Sequence, residues 1–446
     1  MNLHAPGGSP AGETPRYALH CVDADGSDVT LFYAPHESTL VDAQGVSLLS
    51  DAEPADFRTA VAVSHRAPGR KSAAPATLKI QLGMRCNYHC SYCNQASEVD
   101  AAAVTRTVDA DDFLGGLDGW LQGAPGRIEF WGGEPLLYFA KLRRLVPALR
   151  ARFPQAEMAL VSNGSLMDGE ILDFIEAHDL FVAISHDGPG QHLRGPDPFD
   201  DPLRAHWLRE FWRRRGGARR RASFNFVLTP ATADIPATRK WLADRIADPG
   251  LLVDMEGVVT VYDDRALAGP GQWSEADYAR LRSGVEAAFA NGEAFQVRDL
   301  ASRARDFVAS LRHRRPSSAL GQKCGMDEPD QLAVDLKGNV MTCQNTGAEG
   351  RHRLGNVAAL ADVKLDTATH WSHRESCRHC PVLQLCKGSC MYLHDAHFAQ
   401  SCENEYRFNL AVLGAVLHQL TGLRLQTVTG DIRRPHARRT IPLLPA

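Results

Sequence analysis

The sequence predicts an α/β fold centred on a parallel sheet, with a small amino-terminal module before it and a cysteine-rich region after it. Three observations predict this. Between residues 77 and 291, short β-type runs alternate with longer helical segments. Two strand-like runs around a turn precede that alternation. Seven of the eleven cysteines follow it, between 324 and 402. A chain of 446 residues can hold two or three domains. Hydrophobic residues make up 44% and charged ones 23%, and the net charge is −4, so no global charge draws the chain to nucleic acid. No apolar run approaches the ~20 residues of a membrane span, and residues 1–16 lack the apolar centre of a secretory signal. A cytoplasmic protein is expected, and there clustered cysteines point to metal rather than to disulfides.

Taken in order, residues 1–16 are rich in Gly, Pro and Ala and read as a disordered tail. Tyr17–Val22 and Val29–Tyr33 flank the turn Asp25-Gly-Ser-Asp28, and 39–50 adds a short apolar stretch. Lone Cys21, in the first of these strands, reads as a small buried apolar residue. The module and its Pro/Gly-containing linker span 17–75. The core, 76–315, has strands at 77–83, 127–132, 158–163, 181–186, 222–229 and 251–260. Helices are expected near 109–122, 138–152, 168–178, 201–215, 233–247 and 274–291. The basic run Arg213–Arg221 reads as a solvated helix end or a docking site for an anionic partner. The Arg433, Arg434, Arg438, Arg439 tail carries the same two readings. The cysteine-rich region spans 316–405, and 406–446 is expected to be a helix and a tail.

The first core strand runs into Cys86-Asn87-Tyr88-His89-Cys90-Ser91-Tyr92-Cys93. A thiolate triad at C-x3-C-x2-C can hold three corners of a cubane iron–sulfur cluster and leave one iron open. Zinc is the competitor, but its sites usually pair C-x2-C with a second distant pair. The spacing, with aromatic Tyr92 before the third cysteine, resembles the radical SAM superfamily. The resemblance implies a partial (β/α)6 TIM-like barrel, whose chemistry lies at the carboxyl ends of the strands. It also implies that the open iron binds S-adenosylmethionine and that a 5′-deoxyadenosyl radical is released.

Further motifs sit at later strand ends. Trp131-Gly132-Gly133-Glu134-Pro135 resembles the family's GGEP, which implies that Gly133 and Glu134, with Gly132 beside them, receive the amino group of the methionine moiety. The glycines are expected to let a ligand approach the backbone. Ser162-Asn163-Gly164 resembles [ST]-N-G, although a polar turn would read the same way. Ser185-His186-Asp187-Gly188-Pro189 resembles S-x-D-G-P, which implies that Ser185 touches the ribose or carboxylate of the cofactor. Arg194 is the candidate partner of that carboxylate, although it lies closer to the Ser than the family pattern places it.

In the carboxyl-terminal region, Lys337-Gly338-Asn339 reads as a hairpin turn that presents Cys343. Cys377-x2-Cys380-x5-Cys386-x3-Cys390 follows, and then Cys402. Structural zinc is the competing reading. The pattern resembles the SPASM domain, which carries two auxiliary [4Fe–4S] clusters. The likeness implies an outer cluster on Cys377, Cys380, Cys386 and Cys402, and an inner one on Cys324, Cys343 and Cys390. No thiol is offered as a fourth inner ligand; Asp327, Glu328 and Asp330 are the nearby carboxylates. The whole would hold three [4Fe–4S] clusters fed by an external donor of flavodoxin or ferredoxin type. The implied reaction is hydrogen abstraction from a residue of a ribosomally made precursor peptide, giving a cross-link or another oxidative change. Nucleic acid and membrane are not expected partners. The alternatives are a formylglycine-forming sulfatase maturase, a small-molecule radical SAM dehydrogenase and a zinc-stabilised scaffold. Gln344 stands where sulfatase-maturing enzymes place an Asp base, which argues against the first. The catalytic base is not legible.

Overall fold

The computed structural model describes residues 14–49, 55–96 and 106–435. The expected tail 1–16 falls mostly outside the described residues, as do Arg438 and Arg439. The chain opens with β1 (Tyr17–Val22), β2 (Asp28–Ala34), β3 (Thr39–Val41) and the short β4 (Gly69–Arg70). Six strands of the core follow: β5 (Thr77–Gln81), β6 (Arg127–Trp131), β7 (Glu157–Ser162), β8 (Phe181–Ser185), β9 (Ala222–Leu228) and β10 (Val253–Val258). The cysteine-rich region and the end of the chain supply β11 (Gln331–Asp335), β12 (Asn339–Met341), β13 (Arg353–Asn356), β14 (Lys364–Leu365) and β15 (Arg424–Thr429).

Strands β5 to β10 lie side by side in chain order, each parallel to its neighbour. Parallel crossovers are right-handed, so adding every strand on the same side puts the crossover helices on one face. These six parallel strands are two short of the eight of a closed (β/α)8 barrel. The strands read as apolar runs because both faces are covered. Every residue of β9 is buried, and Leu78, Ile80, Phe130, Phe224 and Phe226 are fully enclosed. Each such side chain contributes ~1.5–3 kcal/mol relative to exposure.

The sheet does not stop at β5. Strand β11 lies parallel to β5, and β12 and β13 follow antiparallel, which gives nine strands in all. The expected hairpin forms between β11 and β12: Asp335 Oδ1 accepts from the amides of Lys337 (2.9 Å) and Asn339 (2.8 Å), and Gly338 takes φ +76°. The cysteine-rich region therefore extends the sheet of the core.

Three features depart from the sequence expectation. A helix at Arg298–His313 was not expected; charged residues crowd its exposed face, but Leu300, Ala304, Phe307 and Leu311 recur at helical spacing and are buried. The end of the chain is not only a helix and a tail. After the helix Asp395–Thr421, β15 returns and pairs antiparallel with β1, making the sheet β15-β1-β2-β3. The amino-terminal module is thus completed from the other end of the chain. It is also fastened to the rest: Gln384 Nε2 donates to the Pro35 carbonyl (2.7 Å), and Tyr33 meets Phe307 edge to face at 5.8 Å. Finally, the basic run is largely spent on ion pairs. Arg213 pairs with Glu210, Arg214 with Asp173 and Glu176, and Arg215 and Arg221 with Asp179. Among the described residues, no helix is long and apolar enough to cross a membrane.

Candidate active site

The loop from Gly83 to Cys93 lies across the ends of β5 and β6. The amide of Gly133 donates to the Gly83 carbonyl (3.1 Å), and that of Glu134 to the Arg85 carbonyl (2.9 Å). A Cβ on Gly133 would stand 2.4 Å from the Met84 and Arg85 carbonyl oxygens, and one on Gly132 would stand 2.6 Å from the Gly83 oxygen. The cysteine loop packs against both glycines, and both also line the large cavity, where the sequence expected a ligand to approach. Backbone oxygens cannot swing aside, so Gly133→Ala has to lift the loop. The expected cost is ~1–3 kcal/mol, with iron lost from the first thiol set and retained on the others. Melting curves and iron analysis of the variant check this.

Glu134 is fully enclosed. Its Oε1 accepts from the Leu136 amide (3.0 Å) and Ser162 Oγ (2.8 Å), and its Oε2 from the Asn163 amide (2.7 Å). Burial pushes its pKa up, and these hydrogen bonds and Arg194 oppose that. Oε2 has one partner and can take a cationic donor. Asn163, Asn87 and Ser165 close a ring: Asn163 Nδ2 donates to Asn87 Oδ1 (2.8 Å), Asn87 Nδ2 to Ser165 Oγ (2.8 Å), and Ser165 Oγ to Asn163 Oδ1 (2.6 Å). That ring ties the turn after Cys86 to the end of β7.

Tyr92 is buried, and its hydroxyl donates to Asp187 Oδ2. Asp187 Oδ1 accepts from the Val227 amide (3.0 Å). Arg194 Nη1 donates to the Tyr92 hydroxyl (3.0 Å) and stands 3.5 Å from Asp187 Oδ1. The 3-10 turn Gly188–Leu193 compacts the chain, so Arg194 reaches this point despite its short sequence distance from Ser185. Arg194 Nε is buried without a partner, so an anionic group would complete it. The sequence reading gave no site role to Asp187; its place in the S-x-D-G-P motif was the available signal.

Cys86, Cys90, Cys93, Glu134, Asn163, Ser185 and Arg194 all line one cavity of about 670 Å³. Its wall includes the carboxyl ends of β7, β8, β9 and β10, as a parallel barrel requires. The same cavity extends to Cys324, Cys343 and Cys390. Gln81, at the end of β5, donates its Nε2 to the carbonyls of Gln344 (3.1 Å) and Thr346 (3.0 Å), tying the loop after Cys343 to the strand that feeds the first thiols. Tyr262 and Tyr392 stand beside the inner thiols with ring centroids 5.8 Å apart, and burial pushes both phenols up. Neither was foreseen in the sequence. Of the three carboxylates after Cys324, only Asp327 is buried, and it does not line the cavity.

Cys377, Cys380, Cys386 and Cys402 ring a second, smaller cavity with Phe398, Tyr406 and Arg434. Beside both the inner and the outer thiols runs Arg374, whose guanidinium donates to the carbonyls of Gly388 (3.0 Å), Cys390 (3.0 Å), Met391 (3.1 Å) and Leu393 (2.8 Å). It holds the turn that carries Cys390. Burial pushes the thiols up: Cys343 to about 11, and Cys90, Cys380 and Cys390 to about 12. Loading a metal must displace those protons. Four thiolates on one zinc at ~2.3 Å stand ~3.8 Å apart. Among the described residues, no three Cys, His, Asp or Glu side chains converge to hold a single ion. The thiols line cavities instead, the large one and a narrow one of about 10 Å³ at Cys377, Cys380, Cys386 and Cys402.

Solved structures share this fold. The chain superposes on anSMEcpe, an anaerobic sulfatase-maturating enzyme solved with bound AdoMet, at a TM-score of 0.55 and 18% identity, over 77% of this chain and 99% of that one. The same protein with AdoMet and the Cp18Cys peptide matches at a TM-score of 0.52 and 17% identity over the same shares. The chain therefore shares the fold of that AdoMet-bound enzyme. The uncharacterized protein MJ0907 of Methanocaldococcus jannaschii is 31% identical over 115 residues. That match covers 25% of this chain and only 38% of the relative's length. No protein-family model matches the chain.

Proposed function

We propose that the protein is a radical enzyme that cleaves S-adenosylmethionine reductively and modifies a residue of a peptide. The observation that carries this reading is the single cavity shared by the C-x3-C-x2-C thiols, the ends of four strands and Cys324, Cys343 and Cys390. An iron–sulfur cluster on Cys86, Cys90 and Cys93 supplies, when bound, the electron that splits S-adenosylmethionine into methionine and a hydrogen-abstracting 5′-deoxyadenosyl radical. The chain's own residues place the donor. Glu134 Oε2 accepts the ammonium of the methionine moiety, beside Asn163. Arg194 offers its unpartnered Nε to the carboxylate, and Ser185 lines the same wall. Asp187 and Tyr92 hold Arg194 in place. Cys377, Cys380, Cys386 and Cys402 would hold one auxiliary cluster, and Cys324, Cys343 and Cys390 the other. They would carry electrons from a flavodoxin or ferredoxin.

A peptide substrate is supported by the Cp18Cys complex of anSMEcpe. Formylglycine formation is the lesser reading, because Gln344 is a neutral carboxamide where that branch places a base. The test is anaerobic reconstitution followed by incubation with dithionite and S-adenosylmethionine. The expected result is about twelve irons per chain, four for each of three clusters, together with 5′-deoxyadenosine. About four irons would remove both auxiliary clusters from the proposal. A brown protein that forms no deoxyadenosine would remove the radical reaction.

A further inference from the structure

The waist of the large cavity, between the first thiols and the inner ones, is lined by carboxamides. Asn94 and Gln95 follow Cys93 directly, and Gln344 and Asn345 follow Cys343 directly; all four face this cavity. Gln95 Nε2 donates to Asn345 Oδ1 (3.2 Å), which joins the two loops. Gln81 fixes the Gln344 carbonyl (3.1 Å) and so the backbone from which that side chain starts. The side chain itself is left over: Gln344 Oε1 is shielded from solvent, and no donor within the described chain reaches it. A buried amide oxygen of this kind costs free energy until a donor meets it.

We propose that Gln344 reads the backbone of the peptide substrate. One carboxamide presents an acceptor and a donor side by side. An extended residue presents an N–H and a C=O in the same way, so Oε1 accepts the peptide N–H while Nε2 donates to the peptide carbonyl. Recognition of this kind is blind to the side chain, which leaves the reacting C–H free to face the first thiol set. A carboxylate here would accept only and would repel the peptide carbonyl. This inference rests on the reading that the substrate is a peptide.

The probe is a pool of acetylated, amidated tripeptides, compared with the same pool N-methylated at every backbone amide. Binding is read by saturation-transfer NMR on the reconstituted protein with S-adenosylmethionine present. Wild type is expected to hold the unmethylated pool about tenfold more tightly than the methylated one, and Gln344→Ala to bind the two alike, with the iron content of wild type. If Gln344→Ala discriminates as wild type does, Gln344 does not read the backbone. If the variant loses iron, the side chain serves the thiol site and the inference is equally overturned. If wild type retains neither pool, the peptide reading itself falls, a result distinct from failure at Gln344 alone.

Discussion

Cys90→Ala is expected to bring 5′-deoxyadenosine formation down to the dithionite background while leaving the fold in place. Cys90 is the middle thiol of the loop, and burial lifts it to about 12. It lies beneath the arginine that would take the cofactor's carboxylate: Arg194 is among the charges that lower its pKa. Three thiols are the minimum that leaves one iron open, so two cannot do the same work. The loop has other anchors, namely the Glu134 amide on the Arg85 carbonyl and the Asn87–Ser165–Asn163 ring. Removing one sulfur from a half-buried position should therefore cost only ~1 kcal/mol. Iron should fall from about twelve to about eight per chain, because the auxiliary thiols are separate. Chromatography of the nucleoside, iron analysis and a urea melt on one preparation test all three statements. Deoxyadenosine at wild-type levels would sink the assignment of this loop.

The second large effect is on stability. Lys323, next to Cys324, places its ammonium 2.5 Å from Glu405 Oε1, and that carboxylate is only 2% exposed. Asn409 Nδ2 donates to Glu405 Oε2 (3.0 Å), and Arg303, held by Asp299, donates to Asn409 Oδ1 (3.2 Å). This network joins the helix Arg298–His313, the helix Asp395–Thr421 and the start of the cysteine-rich region. Burial alone would push Glu405 up, but Lys323 and Arg303 override it and hold the pKa below the ordinary glutamate value. Lys323→Met leaves a buried carboxylate without its nearest cation, at a cost of ~3–5 kcal/mol at neutral pH. The pH dependence has a definite sign. In wild type, Glu405 has a depressed folded pKa, so its contribution is present above the unfolded value and lost as pH falls through the folded one. In the variant, the unpaired carboxyl takes up a proton more readily, so the penalty shrinks with acid. Urea melts at pH 8 and pH 5.5 should show the gap narrowing at the lower pH. A gap that stays constant or widens would refute this account.

Much of the core was legible because each strand end announced itself. Cys86–Cys93, Gly132–Glu134, Ser162–Gly164 and Ser185–Pro189 all stand where a short apolar run stops, and the structure brings them to one cavity. Three of the seven later cysteines line the large cavity and four the small one, a division that the SPASM resemblance implied and the spacing alone did not. What could not be read was long-range or three-dimensional. The pairing of β15 with β1 joins opposite ends of the chain, and no local pattern encodes it. The GGEP glycines were correctly singled out, but the object pressing on them was the loop of residues 83–85, visible only once the two strands lie together. Tyr262 and Tyr392 are ordinary residues in sequence and matter only by facing the cavity. Arg194, closer to Ser185 in sequence than the family pattern places it, lines the cavity just after a 3-10 turn.

Strand β11 lying against β5 has a consequence for how such a protein can arise. A polypeptide ending near residue 315 would present β5 as a bare edge, an invitation to pair with neighbours. The mirror case holds at the start of the chain, where β1 would lose β15. Neither the core nor the cysteine-rich region can stand alone without uncovering a strand edge.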